Sequence, residues 1–211
     1  MLNNRNLIAR WEHIDSQLLK WTTRFQREIG LTEGQSRNLA AEIASDILAA
    51  PSRVIIDIVR ASPVPLLSRQ LEIYAHDEWL EASESLSGPY WDRARVLAQC
   101  YVCFVYLKDQ WFQNLSRNLP QLSAAKKCSD FLISGKIHRF RNAFAHGNWH
   151  HSTGAPEIEY WDGRGSSSQR FTVSGFDMAF WQGVSRTVAY ATIQTVIDLF
   201  ESEQGTEPLF L

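Results

Sequence analysis

The sequence predicts a mainly α-helical fold: an antiparallel helical bundle with one small β-hairpin inserted before the C-terminal helix. Apolar residues recur every three or four positions along most of the chain, as on the buried face of a helix. One region, near residue 160, has instead the pattern of paired strands. The 211 residues, 45% of them hydrophobic, supply enough apolar surface for one core, and no long linker divides them. We therefore expect residues 1–211 to form a single domain.

The N-terminal part is predicted to be helical. Helical spacing of apolar residues continues to a break at Gly30, which ends the first helix. Thr32, with Gln35 three positions later, has the pattern of a capping box and predicts a second helix that ends at Pro51. The β-branched stretch 53–61 fits either a helix or a strand, and we favour a helix because its neighbours are helical.

The central part continues the helical pattern. Residues 66–86 are acidic and only partly apolar, which is typical of a helix on the outside of a bundle. Residues 96–115 are apolar nearly all round and predict a central, buried helix that stops at Pro120. A further helix is predicted over 123–146, where Gly147 follows as a C-terminal glycine.

The predicted hairpin and the last helix complete the fold. Strand-like runs at 157–161 and 169–173 flank a Gly/Ser-rich stretch, which predicts a β-hairpin with a mobile tip. Ser174 as N-cap, with Asp177 at the third helical position, predicts the start of the final helix, which runs to about Ser202.

Composition and charge exclude several broad classes. A formal net charge of -2 provides no global positive field, so any contact with nucleic acid must be local. Three cysteines, an odd number, argue against a disulfide framework and for free thiols in a reducing compartment. The most apolar run, 96–107, is too short to span a bilayer, and the first residues lack the layout of a signal peptide. We expect a cytoplasmic protein without membrane association.

One segment combines several reactive side chains at a predicted helix end. Residues 136–147 include a lysine, two arginines, an asparagine and two histidines. A histidine can transfer a proton near neutral pH, and a guanidinium can bind a phosphate and offset the charge of a transition state. These groups are suited to RNA cleavage without a metal ion.

The stretch RNAFAH at 141–146 resembles the motif of the HEPN superfamily. Members of this superfamily are helical bundles in which four to six residues separate an arginine from a histidine, often with a polar residue directly after the arginine. Four residues separate Arg141 from His146 here, and Asn142 follows the arginine. The resemblance implies a metal-independent endoribonuclease without a cofactor, in which a ribose 2′-hydroxyl attacks the adjacent phosphate at a site shared by two subunits of a homodimer.

The same resemblance implies a role for each residue of the motif. His146 would transfer a proton, Arg141 would bind the phosphate and stabilise the transition state, and Asn142 would position the reacting groups. RNA would be the substrate, and an antitoxin or regulatory protein would be a further partner, because many members are toxins or act in defence against phage. Other members bind without cleaving. The alternative is therefore a non-catalytic module that binds a nucleotide, RNA or a protein.

Helical geometry leaves open which arginine faces the site. At about 100° per residue, Arg141 and His146 lie about 140° apart around an unbroken helix. Arg139, Asn142 and His146 instead follow one stripe at i, i+3 and i+7. A distorted last turn, or an arginine supplied by the partner subunit, would bring Arg141 to His146. Arg139 is the secondary candidate.

Aromatic and basic residues near the motif are further candidates. Trp149, Tyr160 and Trp161 flank it and could stack on nucleobases, although packing explains them at least equally well. His138 and nearby lysines could add a local basic surface that leads to the site, and a solvated helix face explains them just as well. These lysines are Lys126, Lys127 and Lys136.

The histidines after the motif do not favour a metal site. His146 and His150 are spaced i, i+4, with His151 adjacent. Gly147 lies between the first two and is expected to break the helix, so they would not share a face, and no acidic or cysteine ligand stands nearby. We predict no metal.

Overall fold

The computed structural model describes residues 11–12, 14–61, 88, 94, 98, 100, 109–152, 157–163 and 169–204. Across these residues the chain is mainly α-helical, with a small three-stranded antiparallel sheet directly before the C-terminal helix, which confirms the predicted fold class. The helix predicted over 66–86, most of the apolar run 96–107 and the tip of the predicted hairpin lie outside the described residues.

The first helical segment, α1, occupies the described residues from 11 to 29. Its backbone is α-helical over 14–18, forms a 3₁₀ turn at Leu19–Trp21 and widens to a π-helical turn at Phe25–Ile29. The segment ends at Gly30, whose φ of 75° is a left-handed conformation that glycine adopts without steric cost. The predicted helix end is confirmed.

The predicted capping box is present at the start of α2 (Glu33–Arg37). The hydroxyl of Thr32 accepts a hydrogen bond from the backbone N–H of Gln35 at 3.2 Å. In return, the side-chain oxygen of Gln35 accepts one from the backbone N–H of Thr32 at 3.1 Å. Both donors would otherwise lack a partner within the helix.

The single helix predicted up to Pro51 is two helices, which corrects the sequence interpretation. The chain departs from helical geometry at Asn38 and starts again as α3 (Leu39–Leu48). Asp15 of α1 explains the break, because its buried carboxylate accepts hydrogen bonds from the N–H groups of Ala40 at 2.7 Å and Ala41 at 3.3 Å. Burial raises the pKa of Asp15, and these two hydrogen bonds oppose the rise.

The ambiguous stretch 53–61 is helical, as predicted, and forms α4 (Ser52–Ala61). Helix α5 (Asp109–Asn118) ends just before Pro120. The next helix, α6 (Ala124–Leu132), has Ser123 as its N-cap, whose hydroxyl accepts a hydrogen bond from the N–H of Lys126 at 3.2 Å. The carboxylate of Asp46 in α3 adds a second cap, because it accepts a hydrogen bond from the N–H of Ala125 at 2.9 Å.

The helix predicted over 123–146 is also divided, so the motif lies on a helix of its own. After α6 the chain passes through Ser134, whose extended backbone (φ -61°, ψ 152°) cannot continue a helix. It then forms α7 (Gly135–Ala145). The Ser-Gly pair at 134–135 was the local signal for this break.

The sheet and the last helix follow α7. Strands β1 (Trp149–His151), β2 (Glu157–Trp161) and β3 (Arg170–Ser174) lie in the order β1-β2-β3. Helix α8 (Gly175–Gln204) begins as predicted, because the N–H of Asp177 donates to the hydroxyl of Ser174 at 3.0 Å.

Helix α8 is the centre of the described core. It packs against α3, α6 and β3 and is buried on several sides, as expected of a central helix. None of the helices in the described ranges is both long and apolar enough to cross a bilayer. Fully buried side chains of α8 include those of Phe180, Val184, Val188, Ala189, Ala191 and Val196.

Candidate functional site

Helix α7 is anchored on one side by aromatic packing. The ring of Phe140 is fully buried and meets Tyr160 of β2 edge-on, with 5.2 Å between the ring centroids. It also meets Trp181 of α8 edge-on at 5.7 Å. Ile137, Ala143 and Phe144 are buried on the same helix. The polar residues of the motif are therefore left at the edge of the packed face and on the side opposite to it.

The end of α7 is a Schellman motif that leaves His146 at the surface. Gly147 has a φ of 71°, its N–H donates to the carbonyl of Phe144 at 3.2 Å, and the N–H of Asn148 donates to the carbonyl of Ala143 at 2.8 Å. His146 is the last residue before this turn, and its side chain is exposed. The predicted helix end at Gly147 is confirmed.

Replacing Gly147 with alanine is expected to lower the free energy of unfolding by about 1–2 kcal/mol, because only the left-handed backbone opposes the new side chain. A Cβ at this position would have no heavy atom within 4 Å. Gly135→Ala is a matched control, since its Cβ would also find open space and no positive φ constrains it. The free energy of unfolding of the two variants and the wild type is measured by urea denaturation. Equal stability of Gly147→Ala and the wild type would contradict the expectation.

Asn142 connects the two histidines of the helix. Its side-chain Nδ2 lies 3.0 Å from Nε2 of His138, and its backbone carbonyl accepts the N–H of His146 at 3.1 Å. His138, Asn142 and His146 therefore lie on successive turns of α7. The structure thus brings together Asn142, a predicted catalytic residue, and His138, a secondary candidate.

The two arginines lie in different surroundings. Arg141 is half-buried, and burial lowers the pKa of its guanidinium to about 10, so that it is still a cation at neutral pH. Arg139 is exposed, and its guanidinium carbon lies 4.7 Å from the ring centre of Phe171 on β3. That separation is typical of a cation–π contact.

The last turn of α7 is not distorted. The backbone is α-helical through Ala145, and His146, the C-cap, leaves helical geometry with φ -98° and ψ 4°. A regular helix keeps Arg141 and His146 about 140° apart around its axis. Helical geometry up to Ala145 therefore places the two residues on different sides of α7.

A strand that the sequence analysis missed follows the motif directly. Trp149–His151 pairs with β2, so the predicted hairpin is part of a three-stranded sheet. Three residues are too few to show the alternation that identifies a strand. Trp149 stacks on Phe144 with 4.8 Å between centroids and 11° between planes. This candidate for base stacking therefore packs against the end of α7.

The other two aromatic candidates lie on opposite faces of the sheet. Tyr160 is buried against Phe140 and Phe171, and its exposed fraction is 1%. Trp161 is half-buried on the opposite, outer face, next to His150 and Arg170. Alternation along β2 was the sequence signal that separates these two residues.

Two of the three lysines that could add a basic surface near the motif bind backbone oxygens of other helices. Nζ of Lys126 donates to the carbonyl of Ser116 at 2.5 Å. Nζ of Lys127 donates to the carbonyl of Gly30 at 3.0 Å. These contacts join α6 to α5 and to the end of α1, which favours the structural interpretation. Lys136 is exposed, and its Nζ lies 5.1 Å from the ring centre of Trp181.

Possible metal ligands do not converge in the part of the chain that the structure describes. No group of three or more histidine, cysteine, aspartate or glutamate side chains there could hold a metal ion. His150 faces Glu159, with 3.7 Å between Nε2 and Oε2. Cys100 and Cys128 are buried thiols that form no disulfide, and burial raises the pKa of Cys128.

Comparison with protein-family models, with curated proteins and with solved structures finds no match to this chain. The functional interpretation therefore depends on the residues themselves.

Proposed function

We propose that this chain is a HEPN-like endoribonuclease that cleaves RNA without a metal ion and acts as a homodimer. The observation that carries the proposal is the exposed imidazole of His146 at a helix end, one turn after Asn142 and in the same segment as the cation of Arg141. A phosphodiester can reach a histidine at an exposed helix end, whereas it could not reach a buried one. By the same resemblance, we propose a role as a toxin or in phage defence, with an antitoxin or regulatory protein as partner.

In the proposed reaction the 2′-oxygen of a ribose forms a bond to the adjacent phosphorus, and the bond from phosphorus to the 5′-oxygen of the next nucleotide breaks. The 2′-hydroxyl loses a proton and the leaving 5′-oxygen gains one. His146 performs one of these transfers, because an imidazole exchanges protons near neutral pH. The products are a 2′,3′-cyclic phosphate and a 5′-hydroxyl.

Arg141 is the proposed phosphate ligand, and Asn142 positions the substrate. A half-buried guanidinium interacts more strongly with a phosphate than a fully solvated one does, because less water screens the charge. Since the helix is regular through Ala145, we assign Arg141 of one subunit to the site that contains His146 of the other. Arg139 is the alternative ligand in the same helix.

The chemistry is tested by incubating the purified chain with single-stranded RNA in excess EDTA. We expect cleavage to continue in EDTA, and the products to carry cyclic-phosphate ends. RNA with 2′-O-methyl groups at every position should stay intact, because it has no 2′-hydroxyl to attack phosphorus. Cleavage of the methylated strand, or loss of activity in EDTA that added Mg²⁺ restores, would contradict the proposal.

The partial burial of Arg141 favours a second candidate, a non-catalytic module that binds a nucleotide, RNA or a protein through the same helix end. If the guanidinium of Arg141 serves packing, it does not bind a phosphate, and the site that contains His146 loses its first proposed phosphate ligand. RNA that stays intact in both EDTA and Mg²⁺, together with a stable protein, would support this candidate over the nuclease.

A further inference from the structure

The outer face of the sheet, defined by His150, Glu159, Trp161 and Arg170, combines one aromatic ring with two basic groups and one carboxylate. His150 is the cross-strand partner of Glu159, and Arg170 is that of Trp161. The indole of Trp161 lies between the imidazole of His150, at 5.7 Å between centroids, and the guanidinium carbon of Arg170, at 5.5 Å from the ring centre. These four side chains form one contiguous polar and aromatic surface.

Packing of the core does not account for this surface. Trp149 and Phe171 of the same sheet pack against the hydrophobic core from the inner face. Trp161 points to the other side, where the side chains of His150 and Arg170 are 49% and 65% exposed. A half-exposed indole beside an exposed imidazole and an exposed guanidinium is typical of a binding surface.

Arg170 of the outer face has N–H donors that can bind an anion. Arg170 forms an ion pair with Glu159 through Nη1, and this hydrogen bond lowers the pKa of Glu159. A guanidinium has five N–H donors in a planar fork, so this ion pair leaves several donors for a phosphate. The carboxylate holds the guanidinium near the indole, and a base can stack on either planar group.

We propose that the outer face binds one unpaired nucleobase of single-stranded RNA together with its adjoining phosphate. The base stacks on the layer formed by Trp161 and Arg170, and the guanidinium of Arg170 binds the phosphate. The role of this face in holding a substrate rests on the proposed nuclease function. Duplex RNA does not fit, because its bases are stacked on one another and not free to meet an indole.

The backbone connects this face to the proposed catalytic helix end. Asn148, two residues after His146, accepts a hydrogen bond from the N–H of Trp161 at 3.1 Å. Its side-chain Nδ2 donates to the carbonyl of Gly163 at 3.4 Å. The end of β2 and the end of α7 are thus held by the same residue, so a strand that stacks on Trp161 can continue toward His146.

The test measures binding separately from cleavage. The full chain is titrated into a fluorescein-labelled 2′-O-methyl RNA single strand of about ten nucleotides, a length that covers one such site, and anisotropy is followed at several salt concentrations. We expect Trp161→Ala to weaken binding about tenfold without changing the salt dependence, because it removes stacking. Trp161→Phe should restore most of the affinity, since it keeps a ring.

Arg170→Gln should weaken binding and also lower the slope of log K against log salt by about 0.7, the value for one phosphate contact on a single strand. Arg37→Gln is the matched control and should bind like the wild type. Arg37 is likewise an exposed arginine in an ion pair, 3.1 Å from Glu33, but it lies on α2. Thermal unfolding checks that each variant is folded.

The outcomes separate the two proposals. Unchanged affinity in both Trp161→Ala and Arg170→Gln, or no binding of the oligonucleotide by the wild type, would overturn the inference about the outer face and leave a protein partner as the occupant to examine. Weakened binding in these variants, from a chain that leaves unmodified RNA intact, would support the outer face and refute only the nuclease.

Discussion

Replacing His146 with alanine is expected to slow RNA cleavage by roughly 10²- to 10⁴-fold, the contribution that a positioned general acid or base makes. The side chain is exposed at the end of α7, so its removal should change stability by less than about 0.5 kcal/mol. Cleavage is measured as single-turnover rates on a labelled RNA, and unfolding in urea checks the fold. Unaltered cleavage by a folded His146→Ala protein would remove the imidazole from the mechanism.

Mixing two inactive variants tests whether the site is shared between subunits. Arg141→Gln and His146→Ala should each be inactive alone. In a mixed dimer, one site would combine the intact Arg141 of one subunit with the intact His146 of the other, so activity should reappear. Activity that stays absent although mixed dimers form would place both side chains in one chain, whereas cleavage by Arg141→Gln alone would exclude Arg141. The same experiment with Arg139→Gln separates the two arginines.

Replacing Phe140 with alanine is expected to lower the free energy of unfolding by about 3–5 kcal/mol, the usual effect of deleting a buried aromatic ring. Phe140 is fully buried and contacts Phe144, Tyr160 and Trp181. The substitution would therefore leave a cavity where α7, β2 and α8 meet. Because tightly packed neighbours relax only partly, most of the loss should persist in equilibrium denaturant unfolding.

Leu122→Ala is the control for this prediction, because the side chain of Leu122 is 77% exposed and its truncation should change stability by less than about 0.5 kcal/mol. If Phe140→Ala loses no more stability than Leu122→Ala, then α7 does not depend on its aromatic packing. RNA cleavage by Phe140→Ala should fall as well, since the helix that carries the motif would lose its anchor.

Sequence alone located the parts of the fold that local hydrogen bonds determine. Thr32 with Gln35, Ser174 with Asp177, and Gly147 each act within a few residues, so the pattern that predicts the helix end also contains the groups that form it. The motif at 141–146 could also be found from the sequence, because the spacing of its residues along one helix is a local property.

Only the tertiary structure decided features that join distant residues. Asp15 caps the start of α3 from 25 residues away, and Asp46 adds a second cap to α6 across 79 residues. No periodic pattern in the sequence indicates either contact. The half-burial of Arg141 and the surface formed by His150, Trp161 and Arg170 arise in the same way, since exposure and pairing depend on which elements pack together. Bringing distant residues together costs chain entropy, so these contacts form only when the rest of the fold holds the two elements in place. The local sequence therefore does not encode them.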